Sequence, residues 1–426
     1  MNISIPYGRG YLTAWLPDER VNAVLRGRLE EYTPPMGQRE LIAQALSQPI
    51  GSPTLEELAQ SKENVVLIAS DHTRPVPSRL LVPPMLEEVR RGSLRARVTI
   101  LIATGCHRSP TRAELVEKFG EEIVDNYPIV VHDCTDEGQM VTLGTLPSGG
   151  VLRIHRLAAQ ADLLISEGFI EPHFFAGFSG GRKSVLPGIA ARETVYWNHN
   201  AGFIGDPRAR AGILEGNPIH KDMIFAARVA KLAFIANVVI NARHEVVGAF
   251  AGDCEAAHLA GAGLVRELCT VPCVPADIVI TSNNGYPLDQ NIYQAVKGMC
   301  TAEAACVEGG VIIIAAACQD GCGGEEFART FLPGDPPAAI LARIQAIPEA
   351  QTRPDQWQSQ IFARVLSRCR VVLVSQAEPS LVRKLQMEPA ASLEEAVTIA
   401  GRLLGRSGRI TVIPEGVSTI VDQAAR

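Results

Sequence analysis

Short apolar runs that end in polar residues are the main pattern of the first half of the chain. Runs at 64–70, 98–103 and 161–166 are rich in Val, Ile and Leu, which is typical of strands buried on both faces of a parallel sheet. In open α/β sheets, ligands bind beyond the carboxyl ends of the strands. The pattern therefore predicts an α/β fold with a ligand site at one edge of the sheet.

The residues that follow these runs have side chains suited to chemistry. Asp71 and Arg74 come directly after the first run, and Pro75 then prevents the strand from continuing. His107 follows the second run and His173 follows the third. We expect all of them to face one crevice, because the carboxyl ends of parallel strands lie at the same edge.

A glycine-rich segment at 171–200 carries Lys183 between His173 and His199. Glycine lets a backbone approach a ligand closely, so this segment brings an amine and two imidazoles to one place. Its middle part nearly matches the phosphate-binding P-loop, but Arg182 stands where the second glycine is required, which argues against a nucleoside triphosphatase. A dinucleotide-binding pattern is also incomplete elsewhere in the chain, which argues against dissociable NAD.

The second half of the chain shows another α/β pattern. Pro272 and Pro275 interrupt the sequence before a predicted strand at 276–281. Further strands are predicted at 311–316 and 370–375, and helices around 291–300 and 356–367. We therefore predict two α/β domains, at 1–270 and 276–400, with a cofactor and substrate cleft between them.

Composition excludes several classes of protein. The 426 residues are enough for two domains, and a net charge of −6 with interspersed signs does not fit a nucleic-acid-binding protein. We expect no membrane span, because no apolar run is long enough, and a cytoplasmic location, because the amino terminus does not resemble a signal peptide. The ten cysteines are then expected to be reduced thiols.

Four segments, taken together and in order, resemble the nickel-dependent lactate racemase family. They are DHTRPVPS at 71–78, ATGCHR at 103–108, EPHFFAGFSGGRKSVLPGI at 171–189 with WNH at 197–199, and YQAVKG at 293–298. The resemblance implies a racemase or epimerase of lactate or a related 2-hydroxy acid. It also implies a nickel pincer nucleotide, a pyridinium mononucleotide whose two sulfur arms hold nickel, and partner proteins that synthesise it.

The resemblance assigns roles to individual residues. Lys183 becomes the covalent tether of the cofactor, His199 the protein ligand to nickel, and His107 and His173 the two acid/base groups. The cofactor-holding loop after the first strand is Asp71, His72, Thr73 and Arg74, with His72 regarded as a neighbour. The substrate-contacting residues are Arg74, Tyr293, Gln294, Lys297 and Trp357. The resemblance also suggests that a final strand within 405–426 returns to the first domain.

The proposed reaction requires the same residue types. Inverting a 2-hydroxy acid through its keto acid needs a hydride acceptor, a base for the hydroxyl proton and cations for the carboxylate. Imidazole titrates near neutrality, so His107 and His173 suit proton transfer in both directions. Arg74 and Lys297 supply positive charge. Imidazole from His199 and two sulfur atoms would suit square-planar Ni(II).

Several alternatives remain open from sequence. Arg108 and Arg182 add positive charge near the first histidine and the lysine, which would suit malate or a larger hydroxy acid, although both could equally be solvated or hold a cofactor phosphate. The chain could also be a cofactor-binding protein without catalysis, or a hydrolytic metalloenzyme, although no carboxylate joins His199 at a metal-binding spacing. Trp357 could be a helix core residue with no role in substrate binding.

Overall fold

The computed structural model describes residues 1–422, and its first 269 residues form one run of alternating strands and helices. In chain order these are β1 (Asn2–Tyr7), β2 (Gly10–Trp15), β3 (Val21–Val24), α1 (Gln38–Ser47), α2 (Leu55–Ala59), β4 (Asn64–Ser70), α3 (Ser78–Gly92), β5 (Arg97–Ala103), α4 (Arg112–Phe119), α5 (Glu121–Asn126), β6 (Ile129–Val131), β7 (Met140–Thr145), β8 (Val151–His155), α6 (Arg156–Ala159), β9 (Leu163–Phe169), β10 (Pro172–His173), β11 (Gly177–Phe178), α7 (Arg192–Asn198), α8 (Ala201–Gly205), α9 (Pro218–Val229), β12 (Leu232–Ile240), β13 (Val246–Gly252) and α10 (Ala256–Cys269).

The remaining elements complete the second half of the molecule. They are β14 (Thr270–Pro272), β15 (Ala276–Ser282), α11 (Ile292–Ala305), β16 (Cys306–Ala315), α12 (Glu325–Phe331), α13 (Pro337–Gln345), α14 (Gln356–Arg368), β17 (Arg370–Val374), α15 (Pro379–Lys384), β18 (Glu388–Ala390), α16 (Leu393–Leu404), β19 (Ile410–Ile413) and β20 (Ile420–Asp422).

The first large sheet has six strands in the order β13-β12-β9-β4-β5-β6. All of its pairings are parallel except that of β12 with β13. The middle strands β4 and β9 are almost wholly buried, since helices cover both faces of the sheet. The prediction of buried parallel strands is therefore confirmed for all three runs, although β9 extends three residues beyond the predicted end.

The second large sheet is fully parallel, in the order β18-β17-β16-β15-β19-β3. The predicted α/β class is thus confirmed, with one mostly parallel and one fully parallel sheet. The hairpin of β1 and β2 packs on this sheet, because Ile3 and Ile5 share an apolar cluster with Ile280 and Ile313.

The expected return of the final strand to the first domain is wrong for β19. This strand lies between β15 and β3, deep in the second sheet, and all four of its residues are buried there. β3, which the prediction assigned to the first domain, also belongs to the second sheet. β20 pairs instead with β14, and residues 423–426 lie outside the described part of the chain.

Within residues 1–422, no helix combines the length and the apolar character needed to cross a lipid bilayer.

Candidate active site

The loop after β4 holds a buried carboxylate against the first predicted catalytic histidine. One oxygen of Asp71 accepts hydrogen bonds from the Thr73 amide at 3.1 Å and from the Thr73 hydroxyl at 2.6 Å. The other oxygen lies 2.8 Å from Nδ1 of His107. Burial opposes ionisation of Asp71, but the hydrogen bond and charge of His107, with the charge of Arg74, lower its pKa to about 2. Asp71 is therefore a carboxylate that orients His107.

The loop after β5 presents His107 to the crevice. The Thr104 hydroxyl donates to the carbonyl of His132 at 2.6 Å, and the His107 amide donates back to the carbonyl of Thr104 at 2.9 Å. Gly105, at φ +56°, donates its amide to the carbonyl of Gly188, which joins this loop to the lysine-bearing segment. The His107 side chain stays 45% exposed, so its second nitrogen is accessible to a ligand.

Low pH should destabilise this loop, because the buried residue His132 accepts the hydrogen bond from Thr104 through its carbonyl group. Burial lowers the pKa of His132 to about 4, and its Nε2 lies 3.0 Å from the carbonyl of Ala190. In the unfolded chain this histidine binds a proton near pH 6.5, whereas in the folded chain it stays unprotonated until about pH 4. The free energy of unfolding therefore falls by about 3 kcal/mol as the pH drops from 6.5 towards 4. We expect the melting temperature of His132→Gln to depend less steeply on pH over this range.

His244→Asn is the matched control for that measurement, because His244 is exposed and has a left-handed backbone that asparagine tolerates. Its pH dependence should equal that of the unmodified protein. Equal slopes in all three proteins would show that His132 does not carry the effect.

The lysine-bearing segment folds into a tight turn on the first sheet. Gly180 has φ +76°, and a Cβ there would lie 2.7 Å from the carbonyl oxygen of Phe169, so only glycine fits. The amide of Gly181 donates to the side chain of Asn237 in β12 at 2.7 Å. The following 3-10 turn, Gly181–Ser184, carries Lys183 into the crevice.

Arg182 lies completely inside this turn. Its guanidinium donates to the carbonyl oxygens of Phe178 at 2.8 Å and Ala176 at 2.7 Å, and to Nδ1 of His220 at 3.1 Å. Burial lowers its pKa to about 9. The positive charge of Arg182, which would have suited a second substrate carboxylate, therefore binds backbone carbonyl groups of the turn. Arg108 is likewise engaged, since it forms an ion pair with Glu114 at 2.6 Å.

Lys183 and His173 form a close polar pair in the crevice, with Nζ and Nε2 3.1 Å apart. The amine also lies 5.7 Å from the centre of the Phe175 ring. Burial, reinforced by the charges of Arg182, Arg74 and Lys297, holds the pKa of Lys183 well below its usual range. Burial and the charge of Lys183 do the same to the pKa of His173. The site therefore favours a neutral amine, which is a nucleophile.

His199 ends α7 and faces the same crevice. Its ring contacts Phe175 and Trp357, with centroids 5.1 and 5.2 Å away, and burial with the charge of Lys183 lowers its pKa to about 3. In the described chain, its buried Nδ1 has no hydrogen-bond partner. A neutral imidazole with an unshared lone pair is the form that binds a metal. The described residues contain no group of three or more His, Cys, Asp or Glu side chains placed to hold a metal ion.

The second half of the chain contributes the opposite wall. Lys297 on α11 has its pKa lowered to about 8 by burial and by the charge of Arg74. Burial and the charge of Asp355 raise the pKa of the Tyr293 phenol. On the same side of the site, the ring of Trp357 packs on His199, with centroids 5.2 Å apart. Trp357 therefore lies at the site, rather than only in the helix core.

Two further predicted residues have less defined roles. Gln294 lies half-buried one helical turn before Lys297. His72 lies 3.9 Å from Glu114, on the far side of the Arg108 ion pair, and remains a neighbour of the site.

The sequence analysis did not identify Glu171. Burial raises the pKa of its carboxyl group, while the charges of Lys297, Arg74 and Lys183 act against that rise. An acid among these basic groups lowers the cost of holding positive charge at the site. The only sequence signal was its place two residues before His173. The role of Asp71 as the partner of His107 was also missed, because hydrogen bonding between strand ends is not visible in sequence.

Comparisons with known proteins cover almost the whole chain. A family model of the lactate racemase N-terminal domain matches residues 7–212, and one of the lactate racemase C-terminal domain matches residues 271–421. A lactate racemase of Thermoanaerobacterium thermosaccharolyticum is 53% identical over 421 residues, which is 99% of each chain. The chain belongs to the lactate racemase family. The lactate racemase of Lactiplantibacillus plantarum is 50% identical over 420 residues, 98% of this chain and 99% of that protein.

Solved structures agree with membership of the lactate racemase family. The lactate racemase apoprotein from Thermoanaerobacterium thermosaccharolyticum superposes with a TM-score of 0.96 at 52% identity, covering 99% of this chain and 100% of that one. A Thermotoga maritima crystal structure matches with a TM-score of 0.62 at 18% identity, which shows a shared fold alone. Membership of this family makes the protein a racemase, which is a class of isomerase.

Proposed function

We propose that this enzyme racemises lactate by reversible hydride transfer to a nickel pincer nucleotide bound covalently to Lys183. The observation that carries the proposal is the buried Lys183 amine, 3.1 Å from His173, with a pKa well below its usual range. A surface lysine would be protonated at neutral pH and unable to form a covalent bond. Such an amine at the centre of a racemase crevice is what a tether requires.

The residues around Lys183 fit the proposed cofactor. His199 offers a neutral nitrogen with no hydrogen-bond partner in the described chain, and we assign it as the one protein ligand to nickel. The two sulfur arms would supply the donors that the chain does not. When bound, the cofactor would accept a hydride from the carbon that bears the hydroxyl group and return it to the opposite face. Every other function falls to the protein.

Arg74 and Lys297 are proposed to hold the substrate carboxylate. Both cations act electrostatically on the same buried groups, Glu171 and His173, which supports a shared role in binding one small anion. Tyr293 and Trp357 would wall the pocket, with Gln294 at its edge. A small apolar substituent such as methyl suits aromatic walls.

His107 and His173 are proposed as the groups that handle the hydroxyl proton. His107 has the carboxylate of Asp71 behind it, and His173 has Lys183 in front of it. The second candidate function, racemisation of a dicarboxylate such as malate, loses the observation that supported it. Arg182 and Arg108, which suggested it, are both engaged within the protein.

The proposal extends to the cellular setting. A preformed pincer nucleotide requires proteins that synthesise it, and we propose these as functional partners. The ten cysteines are free thiols, which supports a cytoplasmic setting.

The proposed function is tested on protein made together with the cofactor's biosynthetic enzymes. Intact mass, nickel content and interconversion of D- and L-lactate should all be positive in the same preparation. Lactate racemisation by protein free of nickel and adduct would contradict the proposal. A dicarboxylate racemised faster than lactate would overturn the substrate assignment alone.

His199→Ala should separate the metal from the tether. We expect the adduct mass to remain, because Lys183 is untouched, while nickel content and racemisation fall strongly, because one of the donors is lost. Trp357→Phe serves as the control, since it keeps an aromatic ring against His199 and should retain nickel. Full nickel occupancy in His199→Ala would mean that another group binds the metal.

A further inference from the structure

The ring of His173 is held by a backbone amide on its inner side. The Ala176 N–H donates to Nδ1 of His173 at 3.2 Å. A backbone amide always carries its hydrogen, so Nδ1 must present a lone pair to it. A neutral imidazole has only one N–H, and that hydrogen therefore lies on Nε2.

This assignment fixes the state of Lys183 as well. Nε2 of His173 lies 3.1 Å from Nζ, and because Nε2 carries the hydrogen, it is the donor. An ammonium group has no lone pair and cannot accept a hydrogen bond. Lys183 must therefore be an uncharged amine, which agrees with the depressed pKa that burial and the neighbouring cations give it.

His107 has the opposite arrangement. Its Nδ1 lies 2.8 Å from an oxygen of Asp71, and an ionised carboxylate only accepts hydrogen bonds. The Thr73 hydroxyl, whose own hydrogen goes to Asp71, lies 3.4 Å from the same nitrogen and also accepts. In its uncharged form, His107 therefore carries its hydrogen on Nδ1, and Nε2 offers its lone pair to the crevice.

We infer that the two histidines are unequal in the resting protein, with His107 a proton acceptor and His173 a hydrogen-bond donor. Asp71 and Thr73 set the first state, and the Ala176 amide sets the second. The catalytic consequence rests on the proposed function. His107 takes the hydroxyl proton of the bound 2-hydroxy acid, while the Nε2–H of His173 donates a hydrogen bond to the same oxygen and keeps its own proton. His173 becomes a base only after it gives up the bond from Ala176.

The inference is tested by nitrogen NMR of the full-length apoprotein labelled with ¹⁵N at histidine. Each ring nitrogen reports directly whether it carries a hydrogen, and His107→Gln and His173→Gln identify the two sets of signals. We expect His107 to show a protonated Nδ1 and a bare Nε2, and His173 the reverse. Equal tautomers, or a cationic His173 at neutral pH, would overturn the inference.

Asp71→Asn provides a sharp second test, because Thr73 decides which way the new amide points. Both Thr73 donors face one side-chain atom, which must remain an oxygen, so the amide nitrogen faces His107. That nitrogen donates, and the hydrogen of His107 should move to Nε2 while His173 keeps its pattern. A change at both histidines, or at neither, would contradict the assignment. A merely structural role for Asp71 predicts no tautomer change.

Lys183→Met is the matched test at His173. If the backbone amide of Ala176 sets the tautomer, His173 keeps its hydrogen on Nε2 without the lysine. Loss of the single tautomer would show that Lys183, and not the backbone, controls the ring. These measurements need neither nickel nor substrate. They can therefore contradict the tautomer inference while the proposed racemase function holds, and they can support it while the proposed function fails.

Discussion

Replacing Lys183 with alanine should abolish the covalent adduct and reduce racemisation to near background. The amine is the bond-forming atom, and without the tether the hydride acceptor is no longer prepositioned, a loss that can reach several powers of ten in rate. The measurement is intact mass of the protein made with the cofactor's biosynthetic enzymes, followed by peptide mapping. The adduct should map to the peptide that contains Lys183.

Lys297→Ala is the critical control for this experiment. Lys297 is another lysine of the site with a lowered pKa, about 8, and it is therefore a competing nucleophile. We expect Lys297→Ala to keep the adduct and to lose activity through weaker substrate binding, seen mainly as a higher KM. An adduct that survives Lys183→Ala and maps to Lys297 would reverse the two roles.

His107→Ala and His173→Ala should each lower the racemisation rate by on the order of 10²–10⁴-fold, the usual contribution of a positioned acid/base group. Both directions must slow equally, because an enzyme cannot change the equilibrium between enantiomers. In single-turnover experiments, each variant should still change the cofactor absorbance with one enantiomer. The responsive enantiomer should differ between the two variants.

His72→Ala is the matched control, because this histidine lies in the same strand-end loop but faces Glu114. Its rate should stay close to that of the unmodified enzyme. If His107→Ala and His173→Ala respond alike to both enantiomers, the two histidines do not divide the proton transfer. A route through Lys297 or solvent would then carry the proton.

The sequence predicted the fold well where the pattern itself carries the information. Apolar runs rich in Val, Ile and Leu identified β4, β5 and β9, because strands that are buried on both faces are mostly apolar. The partner of β19 was not predictable in the same way. Its apolar run fits any parallel ladder, and its neighbours β15 and β3 are chosen by tertiary packing, which leaves no local signal.

The site was predictable in residue type and less so in arrangement. Position after a strand end was enough to bring Asp71 and His107 together. The direction in which a side chain points could not be predicted from position alone. Arg182 precedes Lys183 in the same turn, yet it points inward and binds carbonyl oxygens, because a 3-10 turn sends adjacent side chains to different sides. Contacts of this kind become visible only in three dimensions.

The pairing of β3 with β19 sets the order in which the two sheets can form during synthesis of the chain. Every strand of the first sheet lies between residues 64 and 252, so that sheet can form while the ribosome is still at work. Val21 meets Ile410 only after almost the entire chain has been made, roughly 20–80 seconds later at about 5–20 residues per second. β3 is among the first strands to be synthesised and among the last to be paired. The wall that bears Lys297 is thus completed only when translation is nearly over, whereas the wall that bears Lys183 can already be in place.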